Sequence, residues 1–138
     1  MSKNVQHMNP AAVGFNGQRI DTAQDGTVEI GVEGVDGITL FFNYTRSGAT
    51  GNITWEIHRR SSADGNYYPL QTYAVAAGVT TYSKYVGTKA TASVSQKWSA
   101  DYEMTGFDRL KIMQVLASGG VPVAGDIISI SAAFWSLR

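Results

Sequence analysis

The sequence has no cysteine. That excludes a disulfide framework, thiolate metal sites and a cysteine nucleophile, and it leaves the compartment open. Histidine occurs only as His7 and His58, whereas a histidine metal site draws on two or three converging ligands. Charge is scarce and balanced. Lys plus Arg number 11 and Asp plus Glu number 11, for a formal net charge of zero. Holding nucleic acid by counterion release needs a basic surplus, so no nucleic-acid partner is expected. No apolar run approaches the roughly 20 residues of a membrane span. Met1 to Pro10 is polar and lacks the apolar stretch of a signal peptide. Neither a membrane partner nor export by that route is expected.

Helix formers are also few: Glu occurs 4 times and Lys 5 times, against Gly 15 and Ser and Thr 12 each. Glycines recur too often for long helices, and β-branched and aromatic residues fill the intervals. With 138 residues, 43% hydrophobic and 16% charged, the chain is one globular domain built from strands.

Alternation of apolar and polar residues locates those strands. In Asn52 to Arg60, Ile53, Trp55 and Ile57 share one face and Asn52, Thr54, Glu56 and His58 the other. Ile38, Leu40, Phe42 and Tyr44 share a face in Ile38 to Arg46, with Phe41 alone among polar residues opposite. Ile128, Ile130, Ala132 and Phe134 oppose Ser129, Ser131, Ala133 and Trp135; Leu110, Ile112 and Leu116 oppose Arg109 and Lys111. Side chains alternate across a strand, so each pattern marks a strand with one side in the core. Further strands are expected near Thr27–Val32, Val79–Val86 and Val94–Tyr102. Thr88 to Thr105 contains no Gly or Pro and could hold a short helix, but its Thr, Ser and Val content favours strand or extended loop. Asp25-Gly26, Asp36-Gly37, Asp64-Gly65 and Gly119-Gly120 read as turns, and Gly119 to Gly125, with Pro122, as a loop. Residues 53–73 read as a hairpin about Asp64-Gly65. The expectation is an all-β fold: an antiparallel β-sandwich or jelly roll of about eight strands. Residues 1–14, poor in apolar residues and without period, are expected to form an extended N-terminal arm, and residues 15–138 the single sandwich domain.

Chemistry has few footholds. None of the serines lies in a Gly-x-Ser-x-Gly turn. Glu29 and Glu33 have the parity to share a strand face, but two carboxylates meet only part of what a glycosidase needs. Asp64 and Asp126 lie in loops without the spacing of a calcium-binding loop. No catalytic residue, metal ligand or cofactor site is assigned, and the chain is expected not to be an enzyme. Trp55 shares parity with core residues. Trp98 and Trp135 are candidates for a contact platform. Tyr67 and Tyr68 point to opposite faces, so at most one belongs to the core.

The segment NITWEIHRRSSADGNYYPLQTY, Asn52–Tyr73, combines a Trp-x-Ile strand, a Ser-Ser-x-Asp-Gly turn and an aromatic pair followed by Pro-Leu. It resembles a hairpin that recurs in small virion proteins of tailed bacteriophages, among them capsid decoration (cement) proteins and tail or head-completion proteins. The resemblance covers about a sixth of the chain. It implies a β-sandwich or jelly-roll domain in the virion, assembled in the host cytoplasm as a homo-oligomer. A trimer would suit sites of local threefold symmetry. The implied partners are the major capsid protein or other virion proteins. On that footing Val5, Met8, Val13 and Phe15 are the expected apolar anchors of the arm, and Arg59, Arg60 and Trp135 the expected partner contacts of the body. A carbohydrate-binding or host-adhesion module of a phage tail is the alternative.

Overall fold

The computed structural model describes residues 3–19, 27–32, 34–48, 52–76, 79–82, 88–91, 95–116, 123 and 125–137. In chain order these form β1 (Lys3–Met8), α1 (Pro10–Val13), β2 (Gln18–Arg19), β3 (Thr27–Gly31), β4 (Gly37–Thr45), β5 (Asn52–Ser61), β6 (Tyr67–Ala76), β7 (Val79–Tyr82), β8 (Thr88–Thr91), β9 (Gln96–Glu103), β10 (Phe107–Leu116) and β11 (Ile127–Leu137). The fold is all-β. Its strands lie in two antiparallel sheets, here called A and B.

Sheet A runs β1-β11-β4-β9, with β2 beside the lower half of β11. Sheet B runs β3-β10-β5-β6-β7, with β8 also paired to β5. The chain passes from β3 in B to β4 in A and β5 in B, and later from β9 in A to β10 in B and β11 in A. This interleaving of the two sheets is jelly-roll wiring.

The alternation read from sequence sets the inner faces. Ile38, Leu40, Phe42 and Tyr44 on β4 are buried, as are Trp55 and Ile57 on β5, Leu110 and Ile112 on β10, and Ile128, Ile130 and Ala132 on β11. Each of the larger aliphatic side chains and Phe42 contributes about 1.5–3 kcal/mol by leaving water. At the centre the Phe42 and Trp98 rings stack 5.0 Å apart, and Trp55 lies 6.3 Å from Phe42. Trp98 therefore faces inward and is no exposed platform. The side chains of Ile53 and Leu116 lie outside the described residues.

The hairpin expected over residues 53–73 is formed by β5 and β6. Gly65 has φ +74° in its turn, and Asp64 accepts a 2.7 Å hydrogen bond from the Asn66 amide. Gly37 is different. It opens β4 without a positive φ, so Asp36-Gly37 marks a strand start rather than a left-handed turn. Asp25-Gly26, Gly119-Gly120 and Pro122 lie outside the described residues, as do Val86 and Val94 at the ends of two expected strands. Thr88 to Thr105 holds β8 and β9, as its composition favours.

The first residues correct the expectation of a separate arm. β1 is extended, but it pairs antiparallel with β11 from Lys3↔Leu137 to Met8↔Ala132 and forms an edge of sheet A. An edge strand has one neighbour and buries little, so β1 shows no apolar period in sequence. Asn9 caps α1 by accepting from the Ala12 amide at 2.8 Å, with Pro10 in the first turn. Gly14 ends the helix at φ +110°, and a Cβ there would stand 2.7 Å from Val28 of β3. Thus α1 bridges the sheet A edge toward β3 of sheet B. Val13 and Phe15 enter the core, and the Phe15 carbonyl accepts from the Ile130 amide.

Candidate interaction surface

The outward face of sheet A is set by register. Across β1, β11, β4 and β9 one row reads Val5, Trp135, Gly37, Glu103, and the next reads His7, Ala133, Thr39, Asp101. Below them come Ser131, Phe41, Ser99 and then Ser129, Asn43, Lys97. These positions alternate with the core-facing ones, so they face away from the core; all but Ala133 and Gly37, which Trp135 covers, are at least partly exposed.

This face is mostly polar, but it carries exposed apolar residues. Val5 is 46% exposed, Phe41 42% and Leu137 52%; they are three of the five large apolar residues exposed among the described residues. Trp135, half-buried, lies against Gly37, where a Cβ would meet indole Cζ2 at 1.9 Å. The missing side chain at position 37 is what lets the indole approach the sheet. Around Trp135 and Leu137, the carboxylates Asp36, Asp101 and Glu103 line a depression of about 380 Å³. Asp36 is held by the Leu137 amide at 2.6 Å, and Asp101 accepts from the Thr39 hydroxyl at 2.6 Å. A second groove, about 440 Å³, is lined by Pro10, Phe41, Asn43, Lys97, Ser99 and neighbouring serines of β11.

Sheet B presents a contrasting outer face. Arg60 forms a bidentate pair with Asp108, at 2.8 and 2.9 Å. The hydrogen-bonded guanidinium holds the Asp108 carboxyl below its ordinary range. The Tyr67 hydroxyl donates to Glu29, and the Lys111 ammonium sits 4.2 Å from the Tyr67 ring centroid. Burial, and then the bond to Glu29, raises the Tyr67 phenol. His58 stands 3.4 Å from Glu56. Charges there are spent on one another.

The expected contact residues therefore separate. Val5 and Trp135 are opposite each other on β1 and β11, on the outward face of sheet A. Met8 packs partly against the core. Val13 and Phe15 are buried within it, which corrects their assignment as anchors: no surface remains for a partner. Arg60 is engaged by Asp108. Arg59 turns inward, its guanidinium 4.1 Å over the Phe107 ring and bonded to the Glu103 carbonyl at 2.7 Å. Burial lowers the Arg59 group, opposed by Glu103. Neither Tyr67 nor Tyr68 joins the core: Tyr68 is exposed and donates to Asp64. Glu29 is taken up by Tyr67, and Glu33 lies outside the described residues. Asp126 is a buried clamp for two loops, accepting from the amides of Ser47, Gly48 and Val123. Among the described residues no group of three or more His, Asp or Glu is placed to hold a metal ion. No helix among them is long and apolar enough to cross a membrane.

Phe41, Lys97, Asp101 and Leu137 share this outward face and were not among the expected contact residues. The signal was present for Phe41, the single aromatic on the polar side of its strand, and for Leu137, which shares parity with Trp135.

No protein-family model matches the chain, and no curated protein does. Among solved structures, the SPBc2 prophage-derived protein YomS aligns over 99% of this chain and 96% of its own, with TM-score 0.54 and 13% identity. VP2 of infectious bursal disease virus, in its subviral particle, aligns over 97% of this chain and 33% of its own, with TM-score 0.48 and 13% identity. The chain spans about a third of VP2. At this identity the likeness to YomS shows a common fold, matched end to end.

Proposed function

We propose that this chain is a structural virion protein of a tailed phage, of the capsid decoration or cement type. It binds the assembled shell and bridges neighbouring subunits. The observation that carries the reading is one end of the outward face of sheet A, where exposed Val5 and Leu137 flank Trp135. Contiguous exposed apolar surface of this kind marks protein contact. The end-to-end fold likeness to a prophage-derived protein supports the phage setting. The mechanism is mass action: a protein that binds only the assembled shell stabilises it, and no bond is made or broken. The partners are the major capsid protein or other virion proteins, and the location is the virion.

Co-sedimentation with isolated capsids and tails of the parent phage tests this. Saturable pelleting with capsids, lost in Trp135→Glu, is the expected result. Pelleting with neither particle, with the protein absent from purified virions by mass spectrometry, overturns it.

One observation favours the second reading, a sugar-binding or host-adhesion module. Phe41 and Trp135 put two aromatic rings on the face that also carries Asn43 and Asp101. Aromatic faces and polar side chains together suit a sugar ring. Quenching or enhancement of tryptophan fluorescence by oligosaccharides, without capsid binding, would favour it over the first.

A further inference from the structure

The middle of the sheet A face is self-complementary in charge. On β9 the outward residues run Lys97, Ser99, Asp101. Lys97 and Asp101 stand on either side of Ser99, each about 7 Å from it along the strand. Ser99 is in register with Phe41, and Phe41 with Ser131. The row Ser99, Phe41, Ser131 is therefore a line about which opposite charges are balanced.

We propose that this face pairs with the same face of a second copy of the chain, about a twofold axis lying along that row. A twofold in this direction keeps each strand over its own counterpart and reverses its course. Lys97 then meets the second copy's Asp101, and Asp101 meets the second copy's Lys97. The two Phe41 side chains face each other on the axis. The same operation sets Asn43 over Thr39, so the flanking contacts are polar on both sides. A self-complementary patch closing on itself is what an isologous dimer requires. Among the described residues, sheet B shows no such pattern: Arg60 and Asp108 are bound to each other and Lys111 lies on Tyr67.

Size sets the strength. Three strands spaced about 4.8 Å apart, over the five residues from 97 to 101, give a footprint of roughly 250 Å² per copy. Stable interfaces bury about 800 Å² per partner. The pair is therefore a weak, transient dimer, populated only at high protein concentration. The Trp135 end of the face lies beyond the central rows and remains for another partner. The inference rests on the proposed function only in taking this face as a protein contact. Self-association is read in solution and capsid binding on particles, so either can fail alone.

Sedimentation equilibrium of the full chain, from about 1 to about 500 μM, is the test. The expected result is a monomer–dimer equilibrium. Phe41→Glu, K97D and D101K should each weaken it about tenfold or more, because each buries a charge or sets like charges together. The double variant K97D/D101K restores opposite charges across the axis and should return to within about threefold of the parent. Asp101 also binds the Thr39 hydroxyl, so thermal unfolding of every variant is followed. If D101K or the double variant melts early, K97D and Phe41→Glu, both at exposed positions, decide the question. A monomer at all concentrations, a trimer, or dimerisation unchanged in K97D and Phe41→Glu overturns the proposal. So does a well-folded double variant that stays as weak as the single ones.

Discussion

Gly37 on β4 and Trp135 on β11 are register partners, and the indole occupies the space a side chain at position 37 would need. Gly37→Ala puts a Cβ 1.9 Å from indole Cζ2 if nothing shifts. The ring must swing away, at a cost of about 1–3 kcal/mol for such overpacking. Trp135→Ala removes the obstacle, so the double variant should be more stable than the sum of the two losses by about 1 kcal/mol or more. Urea unfolding of the four proteins measures that coupling. Simple additivity would mean the ring escapes at no cost.

The inner faces were legible because period-2 alternation is strong wherever one side of a strand is buried. The runs Ile38 to Tyr44 and Ile128 to Phe134 declared their inward residues without ambiguity. What escaped was structure whose signal lies outside the strand's own pattern. β1 reads as an arm because an edge strand, here with polar Gln6 among its residues, need not alternate. Val13 and Phe15 read as anchors because nothing in a short Asn9-capped helix tells which way the chain turns next. Gly37 reads as a turn glycine, since its reason for being glycine is Trp135, almost a hundred residues away. Arg59 and Arg60 read as partner contacts, whereas strand parity sends one inward over Phe107 and the other to Asp108. The outward face of sheet A was half visible, in Trp135 and the odd Phe41. Its charge symmetry required knowing that β9 lies beside β4.

Asp126 ties the loop after β4 to the loop before β11. Its oxygens accept from Ser47 and Gly48 on one side and from Val123, at 2.6 Å, on the other. It is the one fully buried charged side chain among the described residues. Asp126→Ala strands three amides and should cost about 2–4 kcal/mol. Asp126→Asn keeps one accepting oxygen and turns an NH₂ toward the third amide, so its loss should be smaller. Chemical denaturation with an unchanged slope would confirm that the loss belongs to the folded state. Equal stability of all three proteins would refute the clamp.

The Arg60–Asp108 pair makes a pH prediction with a definite sign. Its hydrogen bonds hold the folded Asp108 below the ordinary value of 3.8. A carboxyl lowered by folding adds stability that is complete above its unfolded value and lost as pH falls through its folded value. The pair should therefore leave the melting temperature unaffected from neutrality down to about pH 4 and lower it below that. In Asp108→Asn the acid-side drop should be shallower. Asp64, lowered by the hydroxyl of Tyr68 and the amide of Asn66, adds a remaining slope of the same sign. Calorimetry from neutral to strongly acidic pH distinguishes these. An identical acid limb in Asp108→Asn would show that the pair contributes nothing.

Removing residues 1–8 tests whether β1 belongs to the domain. An arm that folds apart could be deleted without thermal consequence. A sheet member could not: its loss strips the partner from Ala132 to Leu137 of β11 and takes Met8 off the core. The expected cost is about 2–4 kcal/mol, from lost packing and lost ladder bonds. The bared edge of β11 is then a template for another strand, so light scattering should rise on heating before unfolding is complete. Point variants separate packing from contact. Met8→Ala should lower the melting temperature, because Met8 packs against buried residues. Val5→Ala should leave it nearly unchanged, because Val5 faces outward beside Trp135. If the truncated chain melts with the full one, the β1–β11 ladder adds nothing to stability, and residues 1–8 act as an arm after all.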